Sequence, residues 1–373
     1  MIYLDYAASC PPYAEVVARA TDILANSYGN PSSLHRSGAA ARAVLQESRK
    51  ELAKLLQVRP EEIFFTSGGT EANNWAVKMG CLASGRRHIV CSAAEHSSVI
   101  EAVRAMEHRG FRVSWILPDS AGHISPAQVM AALTCDTALL CVQAVNNETG
   151  IIQDVDSLAD AAHRVGTLYL CDGVQSFGHV KQNLHRADFI SLSAHKLGGP
   201  KGVGCLVVRR SPGLMPLLHG GGQEFGMRSG TENTTGIAGF ALAAGLSANS
   251  LEREIARLGQ LRQQLQDGLH RIRPDVQVIN PSGSVSPGIL CCRFPGITGE
   301  EMVIRLDEAG ICVSPGAACA AGSKKASHVL LSMGYGPREA SEFFRISMGS
   351  RTTAEEIRRT LDSIAQIIHK EAP

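Results

Sequence analysis

The stretch TLYLCDGVQSFGHVKQNLHRADFISLSAHK, residues 167–196, contains two short apolar runs that each lead into a charged residue. The first run, residues 167–171, is followed by Asp172, and the second, residues 189–193, leads into Lys196. Continuous apolar runs of this length are typical of strands that are buried on both faces of a parallel sheet. Ligands of such sheets bind beyond the carboxyl ends of the strands, so we expect Asp172 and Lys196 to lie near one another.

Outward from this stretch, the chain between residues 60 and 210 alternates apolar runs with helix-like segments. Five further strands are predicted at residues 62–66, 88–92, 112–117, 138–142 and 204–209, and helices at residues 71–79, 97–108 and 156–165. Strands that alternate with helices in this way indicate an α/β fold with a mostly parallel, seven-stranded sheet.

The pattern changes after residue 236. Residues 238–269 are rich in Arg and Gln with helical spacing, and they predict a connecting pair of helices. Short strands are predicted within residues 274–294, and helices at residues 300–309 and 353–369. We therefore expect a large domain of residues 15–250 and a smaller α+β domain of residues 1–14 and 251–373.

Charge and composition exclude several classes of protein. The chain has 373 residues, and its 36 Lys and Arg against 35 Asp and Glu give a formal net charge of +1. This balance gives no reason to expect nucleic acid or an anionic membrane as a partner. The N-terminal MIYLDYAAS does not resemble a signal peptide, and no stretch has the roughly 20 apolar residues of a membrane-spanning helix. We therefore expect a cytoplasmic protein.

The eleven cysteines are scattered, and no two of them form a C-x-x-C pair. An odd number in a chain of this kind argues against a disulfide framework. The missing ligand spacing argues against a zinc ribbon or a metal cluster, so no metal is expected. Most of the cysteines should be small buried apolar residues, which leaves at least one as a candidate reactive thiol.

Polar clusters follow several of the predicted strands, and each has a structural as well as a functional interpretation. Residues 67–71, SGGTE, can form a phosphate cradle at a helix N-terminus, or a turn capped by Thr70. His96 can stack on a flat heterocycle and move protons near neutral pH, or it can be an ordinary loop histidine. Residues 146–150, NNETG, can bond a ligand oxygen or merely build a turn. Asp172 can keep a pyridine nitrogen protonated, or it can cap a helix.

Lys196 gives these clusters a common interpretation. Most lysines are solvated surface charges, but this one ends an apolar run and is followed by the Gly-rich residues 197–202, LGGPKG. A lysine at a strand end, with an aspartate after the preceding strand, suits a Schiff base to pyridoxal phosphate.

At this point the chain resembles a known family, the cysteine desulfurases of the NifS/IscS-like, class V aminotransferase branch. The resemblance is carried by residues 4–8 (LDYAA), 28–32 (YGNPS), 66–71 (TSGGTE), 146–150 (NNETG), 193–196 (SAHK), 220–231 (GGGQEFGMRSGT) and 345–347 (RIS). These segments occur in the same order along nearly the whole chain. The resemblance implies the fold of a fold-type I pyridoxal-phosphate transferase.

The resemblance also implies the roles of particular residues. The cofactor-binding set that it implies consists of Gly69, Thr70, His96, Asn147, Asp172, Gln175, Ser193, His195, Lys196 and Thr231. Lys196 would form the Schiff base, Asp172 would partner the pyridine nitrogen, and His96 would stack on the ring. Asn147 and Gln175 would bond the ring oxygen, whereas Gly69, Thr70, Ser193 and His195 would hold the phosphate. Thr231 would reach the phosphate of the neighbouring subunit, which implies a homodimer.

The resemblance also implies which residues bind the substrate and which one receives its sulfur. Arg345 would bind the carboxylate of L-cysteine, as guanidinium groups do bidentately, with Asn147 beside it. Residues 313–323, VSPGAACAAGS, match the segment that carries the nucleophilic cysteine, so Cys319 would receive the sulfur. Pro315, Ala317 and Ala320 depart from the commoner Ser-Ser-Gly-Ser-Ala-Cys-Thr-Ser, with fewer hydroxyls near the thiol.

The activity implied is the conversion of L-cysteine to L-alanine. Lys196 would remove the α-proton, with His96 also moving protons, and the thiolate of Cys319 would attack the substrate sulfur to leave a persulfide. A sulfur-accepting protein is then expected, in iron–sulfur cluster assembly or thiolation. The alternatives are a selenocysteine lyase or another fold-type I β-eliminating lyase, and a non-catalytic sulfur carrier.

Overall fold

The computed structural model describes residues 1–210, 213–280, 282–316 and 326–370, with Lys370 described by its backbone alone. Its strands are β1 (Ile2–Tyr3), β2 (Ile63–Thr66), β3 (His88–Ser92), β4 (Arg112–Ile116), β5 (Thr137–Cys141), β6 (Leu168–Asp172), β7 (Phe189–Ser193), β8 (Gly204–Val208), β9 (Gln277–Val278), β10 (Ile289–Arg293), β11 (Ile311–Cys312), β12 (Ser314–Pro315) and β13 (Phe343–Ser347). Its α-helices are α1 (Ala14–Asn26), α2 (Arg36–Leu56), α3 (Gly69–Ala83), α4 (Ser97–Glu107), α5 (Pro126–Ala132), α6 (Val155–Arg164), α7 (Thr234–Ile272), α8 (Gly299–Glu308), α9 (His328–Ser332), α10 (Pro337–Ser341) and α11 (Ala354–Lys370).

Seven strands form the large sheet, in the order β2-β8-β7-β6-β5-β3-β4. The pairs among β7, β6, β5, β3 and β4 are parallel, whereas β8 is antiparallel to both β7 and β2. A parallel return requires a crossover of a dozen or more residues, usually a helix, and only residues 194–203 connect β7 to β8. The prediction of an α/β fold with a mostly parallel, seven-stranded sheet is confirmed.

Helices cover both faces of this sheet, which is why most residues of its strands, apart from the edge strand β4, are buried and many are apolar. On one face a core forms from α2, α6 and the first part of α7, with Leu52, Leu158 and Phe240 fully buried. On the other face α3 and α4 pack, with Trp75 and Val103 fully buried. The carboxyl ends of the strands remain free for a site.

The connecting pair of helices predicted for residues 238–269 is wrong, because the structure has one 39-residue helix, α7. Its first part packs on the large sheet through Phe240, and its last part contributes Leu265 to a separate core. No proline interrupts the sequence of α7, so nothing local forces the helix to end. The predicted domain boundary near residue 250 falls inside α7, and the division into two domains stays a prediction.

The separate core is built on a second sheet. Its strand order is β12-β13-β10-β9, all antiparallel, and α8, α11 and the end of α7 pack against it. Leu4 from the N-terminus is buried in the same core. Within the described residues, no helix is both long enough and apolar enough to cross a membrane.

Candidate active site

A cleft of about 280 Å³ opens at the carboxyl ends of the large sheet. Ten residues of the predicted site line it: Gly69, Thr70, His96, Asn147, Asp172, Gln175, Ser193, His195, Lys196 and Arg345. They come from the ends of several strands, the start of two helices, and β13 of the second sheet. Segments that are distant in the sequence therefore meet here, as the strand-end argument predicts.

Lys196 lies in the short turn that follows β7, and the N-terminal segment holds it. Its Nζ donates hydrogen bonds to the carbonyl oxygens of Ala7, at 2.5 Å, and Ala8, at 2.9 Å. Its own carbonyl oxygen accepts from Cys10 Sγ, at 2.8 Å, and lies 2.9 Å from His179 Nε2. These bonds hold the amino group in the cleft.

Asp172 ends β6, the neighbour of β7, and its carboxylate is buried. Oδ2 accepts from Asn73 Nδ2 at 2.7 Å, and Oδ1 accepts from the Val174 backbone N–H at 3.0 Å. Asn73 also donates to Ser98 Oγ at 2.9 Å, and its own Oδ1 is buried without a partner. Sequence reasoning missed Asn73, although it follows Gly69 by four residues and therefore shares a face of α3 with the predicted cradle.

His96 caps α4 and is held in one orientation by Ser98. Its Nδ1 accepts from the Ser98 backbone N–H at 3.2 Å and lies 2.8 Å from Ser98 Oγ. Burial lowers the pKa of His96, and the nearby Asp172 carboxylate opposes that shift. A neutral ring whose Nδ1 is an acceptor carries its proton on Nε2.

The predicted phosphate cradle is the N-terminus of α3. Gly68 adopts φ +152, a conformation that side chains rarely tolerate, and a Cβ on Gly69 would lie 2.8 Å from Val174 Cγ2. The first backbone N–H groups of α3, a 15-residue helix, thus lie at the edge of the cleft, and neither Gly68 nor Gly69 has a side chain that would cover them. His195 lies beside them, and burial, followed by the charges of Lys196 and Lys201, lowers its pKa to about 4.

Arg345 enters the cleft from β13, and it is almost completely buried. Nη2 pairs with Asp5 Oδ1 at 2.8 Å, and Nη1 donates to the carbonyl oxygen of Asn147 at 2.7 Å. Its Nε is buried and has no hydrogen-bond partner. A buried guanidinium with a donor to spare is suited to an incoming carboxylate.

Two buried carboxyls that sequence reasoning did not assign lie close to these groups. Glu95 accepts from the Gln143 backbone N–H at 2.8 Å, and burial raises its pKa to about 8. Glu148 accepts from Ser327 Oγ at 2.5 Å, and burial raises its pKa to about 7, against the opposing charge of Arg345. Glu148 belongs to the NNETG motif noted in the sequence and Glu95 directly precedes His96, but burial can only be recognised in the fold.

Two residues of the predicted site are not among those that line the cleft. Thr231 is exposed and lies beside Arg228 and Thr66, in a different depression of the surface. Cys319 lies outside the described residues. Among the described residues, no group of three or more His, Cys, Asp or Glu side chains is arranged to hold a metal ion.

The fold and the site define an α/β protein with a lysine-bearing cleft at the carboxyl edge of a mostly parallel sheet. The sequence model of the family described as aminotransferase class-V matches residues 2–360, and the chain belongs to that family. The family resemblance inferred from the sequence motifs is thereby confirmed.

Individual relatives agree with this assignment. A protein of Dictyoglomus turgidum named cysteine desulfurase IscS is 36% identical over 373 residues, covering 99% of this chain and 95% of the relative. A solved structure described as a NifS-like protein is 33% identical with a TM-score of 0.92, covering 99% of both chains. Another, described as SspA in complex with cysteine, is 32% identical with a TM-score of 0.80, covering 93% of this chain and 99% of the other.

Proposed function

We propose that this chain is a pyridoxal-phosphate-dependent cysteine desulfurase that converts L-cysteine to L-alanine and takes up the sulfur as a persulfide on Cys319. The observation that carries the proposal is that Lys196 and the buried Asp172 line the same cleft, where the adjacent strands β6 and β7 end. The names of the relatives support cysteine as the substrate, because one relative is named cysteine desulfurase and another was solved in complex with cysteine.

The residues present fit pyridoxal phosphate. The N-terminus of α3 with its two glycines suits the phosphate, and Asp172 suits the pyridine nitrogen. Asn73 Oδ1 is buried at the cleft without a hydrogen-bond partner, so a bound group could donate a hydrogen bond to it. When it is bound, this cofactor supplies an electron-withdrawing ring that makes the α-proton of an amino acid acidic.

This chain's own residues orient the substrate and move its protons. Arg345, which lines the cleft, would bind the carboxylate of cysteine, and this fixes the α-carbon relative to the lysine. Lys196 Nζ, released from the two carbonyls of the N-terminal segment, would take the α-proton. Burial lowers the pKa of His96, so the ring is neutral near pH 7, and its Nε2–H could donate to a substrate or cofactor atom while Nδ1 is the nitrogen that could take up a proton.

Sulfur transfer balances without a further reactant. The thiolate of Cys319 would attack the substrate sulfur, so a sulfur–sulfur bond forms while the bond between the substrate's β-carbon and its sulfur breaks. The electron pair released at the β-carbon ends, after protonation, as the methyl group of L-alanine. The persulfide would then pass to an acceptor protein, and a homodimer completes the proposed assembly.

The test of this proposal is a direct assay of the purified protein. After reconstitution with pyridoxal phosphate, borohydride reduction should leave a pyridoxyl label on Lys196. With L-cysteine, mass spectrometry should show one molecule of alanine per sulfur released and an adduct of about 32 Da, one sulfur atom, on Cys319. Absence of the label would contradict the proposal, and so would a β-elimination product in place of alanine.

A Cys319→Ala variant separates the alternatives. A desulfurase should lose turnover on L-cysteine but keep its cofactor, because the thiol acts only in sulfur transfer. A selenocysteine lyase would retain activity on selenocysteine in the same variant. A non-catalytic sulfur carrier would show no cofactor absorbance in the wild type.

A further inference from the structure

Four residues that line the cleft form a continuous hydrogen-bonded row, in the order Asp172, Asn73, Ser98 and His96. Asn73 Nδ2 donates to Asp172 Oδ2 at 2.7 Å and to Ser98 Oγ at 2.9 Å. Ser98 Oγ in turn lies 2.8 Å from His96 Nδ1. Asn73 is 1% exposed, Asp172 6% and Ser98 8%, so water has little access to these bonds. The hydrogen-bonded row therefore connects the end of β6, through α3, to the start of α4.

The Asp172 carboxylate decides which way the Asn73 amide points. An ionised carboxylate can only accept hydrogen bonds, so it faces the amide nitrogen rather than the amide oxygen. A bond to a charged group is also stronger than a neutral one. The amide adopts this orientation although it leaves Asn73 Oδ1 buried without a hydrogen-bond partner among the described residues. The charge of Asp172 thus fixes the amide with both of its N–H groups in use.

The oriented amide in turn decides the direction of the Ser98 hydroxyl. Because Ser98 Oγ accepts from Asn73, its own hydrogen is available for His96 Nδ1. The backbone N–H of Ser98 donates to the same ring nitrogen at 3.2 Å. Nδ1 therefore faces two donors, and the proton of the neutral ring lies on Nε2.

We propose that Asn73 and Ser98 are positioning residues for His96: the amide, turned by the neighbouring carboxylate, directs the Ser98 hydroxyl to Nδ1, and this keeps the imidazole proton on Nε2. The inference rests on the proposed desulfurase function and adds two residues to it. Uptake of a proton at Nδ1 requires the Ser98 hydroxyl to turn away and the Ser98 backbone N–H to lose its acceptor. The hydrogen-bonded row therefore opposes the imidazolium form and makes His96 a hydrogen-bond donor towards a bound group.

Charged groups act on His96 from three other parts of the fold. Burial lowers the pKa of His96, and the carboxylate of Asp172 opposes this shift. Lys196 and His328 act in the same direction as burial. The Ser98 hydroxyl is neutral, so its bond to Nδ1 adds to these effects as a separate contribution. Loss of that bond should favour the imidazolium by about three- to tenfold in its protonation constant, which corresponds to one hydrogen bond.

Nitrogen NMR of the ligand-free full chain with labelled histidine tests this inference, because the shifts of the two ring nitrogens show which of them carries the proton. A His96→Gln variant identifies the signals of His96. We expect Nδ1 of the wild-type ring to be unprotonated at neutral pH. Asn73→Leu and Ser98→Ala should each raise the protonation constant of His96 by about three- to tenfold, so that the ring titrates at a higher pH.

Matched variants separate the hydrogen-bonded row from general effects on the fold. Ser98→Thr keeps the hydroxyl, so its protonation constant should stay within about twofold of the wild type. Asn74→Leu is the control for Asn73→Leu and should also stay within about twofold, because this amide bonds only backbone carbonyls in the described structure. Asn73→Ala replaces Asn73→Leu if the larger side chain prevents folding. The double variant of Asn73→Leu with Ser98→Ala should shift no further than the larger single variant, because both changes act through one row.

The outcomes that would overturn the proposal are distinct from a failure of the proposed function. A proton on Nδ1 of the wild-type ring would contradict the proposal, and so would additive shifts in the double variant. A shift in Ser98→Ala without one in Asn73→Leu would mean that the amide has no influence on the ring.

The reconstituted enzyme gives a second readout. If neutral His96 is the active form, the acid limb of the pH profile of alanine formation should move to higher pH in Asn73→Leu and Ser98→Ala. An acid limb that stays in place would overturn the role assigned to His96. If the wild type makes no alanine, the proposed function fails, whereas the NMR titration of the ligand-free chain still decides whether Asn73 and Ser98 position the ring.

Discussion

At the scale of single residues, Glu95 shows how strongly this site depends on burial. Glu95 is 1% exposed, and its carboxyl accepts hydrogen bonds from the backbone N–H of Gln143 and from the Ser92 side chain. Desolvation disfavours the ionised form, and the neighbouring Asp172 carboxylate adds to the shift, so the pKa of Glu95 is raised to about 8. Near neutral pH the Glu95 side chain, next to His96 in the sequence, is therefore a carboxylic acid, which can donate as well as accept a hydrogen bond.

This protonation makes stability depend on pH in a defined direction. The unfolded chain releases the Glu95 proton near pH 4.5, whereas the folded chain keeps it to about pH 8. The free energy of unfolding should therefore fall as the pH rises through this window, by about 2–4 kcal/mol for this group. A Glu95→Gln variant lacks the titration, so it should gain stability relative to the wild type between pH 5 and pH 8.

Urea unfolding of both proteins at pH 5, 6.5 and 8 measures this difference. Glu47→Gln is the matched control, because it removes one carboxyl in the same way from an exposed position on α2. Parallel stability curves for Glu95→Gln and the wild type would contradict the account of Glu95.

The site residues that sequence reasoning identified differ in one physical respect from those that it missed. Asp172 ends β6 and Lys196 lies three residues after β7, so the edge of the sheet brings them to one cleft whatever the details of packing. Asn73 and Glu148 act through side-chain bonds to segments far away in the chain, and nothing in their local sequence specifies those partners. Their contribution depends on the packing of α3 against β6 and of α9 against the turn at residue 148.

At the scale of elements, α7 connects the core on the large sheet to the core on the small sheet. Two of its glycines have opposite surroundings: a Cβ on Gly259 would meet nothing within 4 Å, whereas one on Gly268 would lie 2.3 Å from Leu361 Cδ1. Gly268 therefore lets α7 and α11 approach closely, while Gly259 gives the helix no packing benefit.

These two positions predict stability changes of opposite sign. Gly259→Ala should raise the free energy of unfolding by about 0.5–1 kcal/mol, because alanine favours the helix and meets no obstacle. Gly268→Ala should lower it by about 1–2 kcal/mol, because the methyl group must displace the Leu361 side chain. Chemical denaturation of both variants is the measurement, and changes of the same sign would contradict this view of the contact between α7 and α11.

The strands could be predicted more closely than the helices. Each of the seven predicted strands is present within one residue of either bound, because strands buried on both faces show as short apolar runs with clear ends. The end of a helix depends on what it packs against. Residues 247–250 within α7, SANS, look like an interruption in sequence, yet the helix continues because each half has a core to pack on.

At the scale of the whole molecule, the N-terminal segment ties the small sheet to the candidate active site. Asp5 pairs with Arg345, and the backbone N–H of Ala7 donates to Ser347 Oγ at 3.0 Å. The carbonyl of the same Ala7 accepts from Lys196 Nζ and from Gln175 Nε2. One short segment therefore contacts both the lysine that follows the large sheet and the arginine of the small sheet, two groups that the proposed reaction brings to the same substrate.

The position of Thr231 bears on the proposed dimer. In its own chain Thr231 is exposed and lies outside the cleft. Its segment is nevertheless held firmly: Arg228 makes a bidentate ion pair with Glu71, at 2.8 and 3.0 Å. An exposed residue that does not line its own cleft is available to the cradle of a second copy.

Mixed dimers can test this arrangement. Thr231→Ala should weaken pyridoxal-phosphate binding about tenfold, because each site loses one hydrogen bond to a charged phosphate. A Lys196→Ala subunit cannot bind the cofactor covalently, but it still carries Thr231. In a heterodimer of the two variants, the subunit that keeps Lys196 would receive Thr231 from its partner, so its cofactor affinity should return to the wild-type value. Affinity that stays tenfold weak in the heterodimer would mean that Thr231 serves its own chain, and the proposed exchange between subunits would be wrong.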